Sequence, residues 1–235
     1  AFDKEREFTS NASHELMTPI SILQTNVENM MMEENISDDL LEKVSSMMKT
    51  LNRLKKIVHS LLFISRIEND QFSKADAINV YDLSVEVMEE LSPWLETKSI
   101  HFTNEIRKGI SLKNVNRDLL FQLLYNLVNN AIRYNKENGD IHLSDHYVPG
   151  ATYTLMIKDT GVGIPAEDIS TIFNRFKKSG SSNGEGYGLG LSIVKSIVLF
   201  HGFTIEVTSD PGNGSVFSIV VPGSSVENIT AGKGK

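Results

Sequence analysis

The stretch His14-Glu-Leu-Met-Thr-Pro-Ile-Ser-Ile-Leu-Gln-Thr-Asn-Val-Glu-Asn-Met30 sets apolar side chains at Leu16, Ile20, Leu23, Val27 and Met30, in alternating steps of four and three. That is the spacing of a and d positions on a helix that packs along a seam. A polar break at Glu33, Glu34 and Asn35 follows, with Ser37 or Asp38 as a helix cap. A second series then runs Val44, Met47, Leu51, Leu54, Val58 and Leu61. Two such helices joined by a short connection predict an antiparallel hairpin. A lone hairpin buries one stripe per helix, so two copies are expected to pair into a four-helix bundle, which makes the chain a homodimer.

Beyond this all-α hairpin the texture changes. No Gly occurs before residue 70, and Pro19 is the only Pro there. We read residues 1–70 as the helical domain, 71–79 as a hinge, 80–223 as a second domain and 224–235 as a small, polar, disordered tail. Val85, Val87, Met88, Leu91 and Trp94 fit an amphipathic helix, and another runs from about Arg117 to Tyr134. Strands are expected at Ile100–Ile106, Ile141–Tyr147, Thr152–Lys158, Thr204–Ser209 and Ser215–Val221, with turns such as Pro211-Gly-Asn-Gly214 between them. Helices mixed with mostly antiparallel strands imply an α+β two-layer sandwich.

Composition removes several classes of function. The net charge is −7 and no block of Lys or Arg forms a track for a polyanion, so nucleic acid is not an expected partner. With 0 Cys, disulfides, thiolate nucleophiles and Cys-built zinc sites are excluded. No run approaches the ~20 apolar residues of a spanning helix. The chain opens at Ala1 inside a helical pattern, so any sensor or membrane anchor is expected in an upstream segment. The reading is of a cytoplasmic portion whose parent is anchored in the cell membrane.

On the first seam His14 falls at b and Thr18 at f, one above the other on the outer helix face. An exposed imidazole is largely unprotonated at neutral pH and can offer one ring nitrogen to a bulky donor. Glu15 is placed to take the proton from the other nitrogen. A zinc-hydrolase helix would need a second His where Thr18 stands.

Four segments of the second half carry further chemistry. Asn126-Leu-Val-Asn-Asn-Ala-Ile-Arg-Tyr134 lines Asn126, Asn130, Arg133 and Tyr134 along one helix face. Amide oxygens suit Mg²⁺, the guanidinium suits phosphate, and the ring can pack on a flat base. Asp159-Thr-Gly-Val-Gly-Ile-Pro165 follows a strand. Its carboxylate can accept from an exocyclic amine such as adenine N6, while Gly161 and Gly163 permit close approach. Ile172-Phe-Asn-Arg-Phe176 holds an aromatic pair. Gly184-Glu-Gly-Tyr-Gly-Leu-Gly-Leu191 runs into a helix and can cradle an anion on its amides. Singly, these segments also read as a polar helix face, a plain turn, core packing and a generic glycine loop.

Together and in order they resemble the N, G1, F and G2 boxes of the GHKL ATPase superfamily, in its histidine-kinase branch. The segment Phe8-Thr-Ser-Asn-Ala-Ser-His-Glu-Leu-Met-Thr-Pro-Ile20 resembles the H-box of the same kinases, Met17 standing where they usually have Arg. The resemblance covers roughly residues 1–222. It implies a sandwich of the GHKL type, a protein histidine kinase that uses ATP and Mg²⁺, and autophosphorylation on His14. Glu15 would be the base, and Thr18 would position water when the phosphorylated partner is dephosphorylated. Asn130 would bind Mg²⁺, with Asn126 beside it, and Asp159 would read adenine. Gly186, Gly188 and Gly190, with Leu189 between them, would close over the phosphates as part of a lid. Lys178 stands where many relatives have a phosphate-binding Arg. The phosphoryl group would pass to an Asp of a response-regulator receiver domain. Two other readings are a GHKL clamp ATPase, which the His-Glu box argues against, and a non-catalytic dimeric scaffold, which intact Asn130, Asp159 and glycines argue against.

Overall fold

The computed structural model describes residues 2–32, 36–177 and 187–228, with the backbone alone for 2–14 and 228. The chain divides between Gln71 and Phe72 into two compact units.

The first unit is the helical hairpin. Helix α1 spans Phe2–Met31 and runs through Pro19, and α2 spans Asp38–Glu68. Ser37 is the N-cap of α2: its side chain accepts the amide of Leu40, and Asp38 and Asp39 follow in the first turn, where the helix dipole favours acids. Across the hairpin, Gln24 Nε2 donates to Asn52 Oδ1 at 3.3 Å and Lys55 Nζ to Gln24 Oε1 at 3.1 Å. Within this unit Ile20, Val27, Val44, Ile64 and Ile67 are buried. The two helices therefore consume only part of the expected seams. Leu16, Leu23 and Met30 remain 48%, 51% and 40% exposed, and Met47 and Leu54 are exposed as well. Ile64 and Ile67 lie outside the expected second series, because the burial pattern drifts off the heptad toward the end of α2.

The second unit is built of two sheets and a layer of helices. Its elements are β1 (Asp76–Asn79), α3 (Val80–Thr97), β2 (His101–Asn104), β3 (Ile110–Val115), α4 (Arg117–Arg133), β4 (Asp140–Val148), β5 (Thr152–Asp159), α5 (Ala166–Ile169), α6 (Gly190–Phe200), β6 (Thr204–Asp210), β7 (Gly214–Pro222) and β8 (Val226–Asn228). The larger sheet has the order β2-β4-β5-β7-β6, antiparallel except for the parallel β2–β4 pair. Along β5, Tyr153, Leu155, Ile157 and Asp159 point to the buried face, and Tyr153 and Ile157 are fully enclosed. Helices α3, α4 and α6 supply the apolar side chains that cover a sheet face.

The smaller antiparallel sheet, β1-β3-β8, revises the expected boundaries. The last four residues of the expected hinge form strand β1, paired to β3 and continuous with α3, so residues 76–79 belong to this unit. Residues 226–228, expected to lie in a disordered tail, pair with Ile110–Leu112 and bury Val226.

Helix α4 buries Leu119, Leu120, Leu123, Leu124, Leu127, Val128, Ala131 and Ile132. At about 2 kcal/mol for each large apolar side chain, this face anchors the helix and leaves the polar face free for other work. Its N-terminus is tied to the end of α6. The amide of Asn116 donates to His201 Nε2 at 3.0 Å, and His201 Nδ1 lies 2.9 Å from Ile197 O. Nδ1 therefore carries the proton. Burial, with Lys74 nearby, pushes the imidazole pKa down from the ordinary value of 6.5. A lowered pKa means the unfolded chain takes up the proton first, so this contribution to stability is intact above 6.5 and is lost as pH falls below it. The thermal midpoint of the second unit is expected to drop through that window, and His201→Gln to flatten the drop; an equal slope in both would place the effect elsewhere. Among the described residues no helix is long and apolar enough to cross a membrane.

Candidate functional site

The polar face of α4 is the floor of the site. Asn126 Nδ2 donates one hydrogen to Gln122 O at 2.7 Å, which turns the nitrogen toward its own helix and Oδ1 toward Gly190. A Cβ placed on Gly190 would lie 3.1 Å from that oxygen, so the first residue of α6 sits directly over Asn126. Asn130, one turn along, is half-buried. At the C-terminus the Arg133 guanidinium carbon stands 5.6 Å from the Tyr134 ring centroid. Arg133 Nη2 is buried with no hydrogen-bond partner among the described residues. A buried charged donor left unpaired is costly, and an anion is the ligand that would relieve it.

Asp159 closes β5 and is 6% exposed. Its Oδ1 accepts the Gly161 amide at 2.8 Å, and the Ser215 amide also bonds to the carboxyl. Burial pushes the carboxyl pKa above the usual aspartate range, against the opposing pull of those two amides. The loop after Asp159 abuts the end of α4: Val162 N donates to Tyr134 O at 3.0 Å, and a Cβ on Gly161 would fall 2.3 Å from the same oxygen. Only glycine allows that approach. Gly163, expected to admit ligand, has φ +71° and faces the Asp210 carbonyl, 2.2 Å from where its Cβ would stand. Its lack of a side chain serves packing against the β6–β7 turn.

The aromatic segment and the glycines before α6 are also joined. Phe176 N donates to Gly188 O at 2.9 Å, and Gly188, at φ +68°, would place a Cβ 2.6 Å from Lys177 O. Leu189 is buried and anchors the entry to α6. Helix N-terminal amides without intrahelical partners, as at Gly190, are suited to phosphate. Lys178 and Gly186 lie outside the described residues.

The structure thus gathers Asn126, Asn130, Arg133, Tyr134, Asp159, Gly161, Gly188, Leu189 and Gly190 on one side of the second unit. Among the described residues no group of three His, Cys, Asp or Glu is placed to hold a metal. A cation here would take amide oxygens and draw its anionic ligands from a bound phosphate, which is the habit of Mg²⁺ rather than of a protein-caged metal. Sequence reasoning missed Ser215, a second amide donor to Asp159, and Asn135, a buried side chain that bonds to Asp140 O and Thr160 Oγ1. The first acts through its main chain, which leaves no trace in residue identity. In the other unit, His14 lies within α1, with its side chain outside the described residues, and Glu15 and Thr18 are exposed.

Residues 4–70 match the family model of the His Kinase A (phospho-acceptor) domain, and residues 115–225 that of the histidine kinase-, DNA gyrase B- and HSP90-like ATPase. The sensor histidine kinase YclK of Bacillus subtilis is 33% identical over 93% of this chain and 47% of its own length. The signal transduction histidine-protein kinase ArlS of Staphylococcus haemolyticus is 31% identical over 94% of this chain and 49% of its own. The chain therefore spans about half the length of these relatives. Among solved structures, the histidine kinase ThkA in complex with the response regulator protein TrrA superimposes with a TM-score of 0.64 at 27% identity, over 92% of this chain and 61% of that one. Full-length ShkA in complex with AMPPNP shares the fold, with a TM-score of 0.74 at 22% identity over 92% of this chain and 45% of that one.

Proposed function

The chain belongs to the two-component sensor histidine kinases, and on that premise we propose that it moves the γ-phosphoryl group of ATP onto its own His14. From there the group passes to an aspartate of a response-regulator receiver domain. The observation that carries the reading is the convergence of separate sequence segments: Gly190 sits on Asn126, Val162 bonds to Tyr134, and Gly188 bonds to Phe176. The solved complex of ThkA with TrrA supports the partner class.

In this proposal Asp159 accepts the adenine amino group, Tyr134 packs on the base, and Arg133 with the α6 amides takes phosphate oxygens. Lys178 and Gly186 would add to that phosphate contact. Asn130, with Asn126 beside it, would hold Mg²⁺, which when bound neutralises phosphate charge. Phosphoryl transfer depends on in-line placement and charge stabilisation. One imidazole nitrogen of His14 forms the P–N bond, the bond between the γ-phosphorus and the β–γ bridging oxygen breaks, and ADP leaves. The proton on the other ring nitrogen goes to the Glu15 carboxylate. Thr18 is suited by its place to orient water in a phosphatase reaction on the phosphorylated partner.

The unfilled seam supports homodimerisation. Leu16, Leu23 and Met30 recur at one heptad position and stay exposed in the single hairpin. Leu23→Glu is expected to convert the dimer to monomer at micromolar concentration in analytical ultracentrifugation. A dimer of unchanged strength would place the interface elsewhere.

The function is tested by incubating the chain with γ-labelled ATP and Mg²⁺. Acid-labile, alkali-stable label on the protein is expected. Steady phosphate release with no labelled protein would favour a clamp-type ATPase instead.

A further inference from the structure

Lys98 ends α3, where its own amide bonds to Glu96 O. Its ammonium donates to three main-chain carbonyls at the end of α4: Ile132 O at 3.0 Å, Arg133 O at 2.8 Å and Asn135 O at 3.4 Å. An ammonium has three hydrogens to give and no acceptor, so its bonding capacity is filled. The site is also where the helix dipole is negative and carbonyls lack intrahelical partners.

The carbonyl that Lys98 omits is Tyr134 O, and this one receives the Val162 amide from the loop after Asp159. Carbonyls 132, 133 and 135 are thus drawn to one cation while 134 is drawn to the adenine-side loop. Asn135 carries the connection further. Its side chain is buried, its Nδ2 donates to Asp140 O at 3.0 Å, and its Oδ1 accepts the Thr160 hydroxyl at 3.3 Å. Thr160 in turn accepts the Asp140 amide at 2.8 Å. The last turn of α4 and the segment 159–162 are therefore one hydrogen-bonded block, to which Lys98 is tied by its ammonium.

Resting on the nucleotide reading above, we propose that Lys98 is a positioning residue for nucleotide binding. It fixes the last turn of α4, and through it sets Arg133 and Tyr134 at their distance from Asp159, while making no contact with the nucleotide. The competing possibility is a helix cap that supports stability alone. Asn79 separates the two: its Oδ1 caps the start of α3 by accepting Tyr81 N at 2.9 Å and Asp82 N at 3.2 Å, far along the chain from the α4 terminus.

The experiment compares the whole chain with Lys98→Met, Lys98→Arg and Asn79→Ala. The readouts are the affinity for a fluorescent ADP analogue with Mg²⁺, KM and kcat for autophosphorylation, and the thermal midpoint without nucleotide. Lys98→Met is expected to weaken ADP binding roughly tenfold, and to raise KM for ATP alongside it, because three charge-assisted bonds to the terminus are lost. The rate at saturating ATP should stay within about twofold, since no group that meets the γ-phosphate is removed. Lys98→Arg should recover most of the affinity, and Asn79→Ala should lower the midpoint with affinity unchanged. Wild-type affinity in Lys98→Met, or an equal loss in Asn79→Ala, overturns the proposal. If Lys98→Met does not fold, Lys98→Gln is read by the same comparison. Failure of the unmodified chain to bind ADP is a separate result, and it would overturn the nucleotide reading itself.

Discussion

His14→Gln is expected to remove ATP-dependent labelling of the chain altogether, a fall of roughly three orders of magnitude or more to background, because an amide nitrogen has no lone pair available for attack on phosphorus. ADP affinity should be unchanged, since the site built on α4 and α6 lies in the other unit. Glu15→Gln should behave differently. The nucleophile survives and only the proton acceptor is lost, so labelling should slow on the order of 10²-fold. Equal abolition in both variants would mean that Glu15 does more than accept a proton. Persistent label in His14→Gln would place the acceptor at another residue.

The second large effect is expected at Asp159. Its carboxylate is almost fully buried and held by the Gly161 and Ser215 amides, where the proposal seats the adenine amino group. Hydrogen bonds to a charged group are each worth about 1.5–3 kcal/mol, so Asp159→Ala should weaken nucleotide binding by about 100-fold. The stability of the nucleotide-free domain should hardly suffer. Burial raises the folded-state pKa above the usual 3.8, so the folded protein holds this proton more tightly than the unfolded chain does. Stability from this group is therefore present at low pH and is lost as pH rises through the raised value. At neutral pH the wild type carries that cost and the Ala variant does not. The comparison is made by titration calorimetry and thermal unfolding on the same samples. A collapse in melting temperature together with wild-type affinity would reverse the assignment. Nucleotide affinity of the wild type should itself weaken on acidification earlier than for an exposed aspartate.

Much of the site was legible because its residues are bound by spacing. Asn126, Asn130, Arg133 and Tyr134 share a helix face whatever surrounds it, and Gly188 precedes and Gly190 opens a helix whose apolar pattern is strong. The larger sheet was legible for a similar reason, since β4, β5 and β7 alternate over eight or nine residues. The smaller sheet was not. Strand β1 has four residues and β8 three, too short for a period to register. In β3 the burial pattern is irregular and Asn114 takes φ +56°, which breaks the alternation. That loss moved two expected boundaries, at the hinge and at the tail. The heptads predicted a seam but not which half would be filled inside one hairpin. Ile20 and Val27 turn inward while Leu16, Leu23 and Met30 stay exposed. Lys98 and Ser215 act on or through main-chain groups, and no residue pattern marks a carbonyl as a partner.

The central claim is that a nucleotide held by α4, the Asp159 loop and the start of α6 gives its terminal phosphoryl group to one imidazole. Mass spectrometry of the chain after incubation with Mg²⁺–ATP, digested and kept at neutral to alkaline pH, tests this directly. The account predicts a single phosphorylated peptide that contains His14, strongly reduced in Asp159→Ala at limiting ATP and lost on brief acid treatment. A phosphoryl group on Ser, Thr or another His, or one that survives acid, would contradict it.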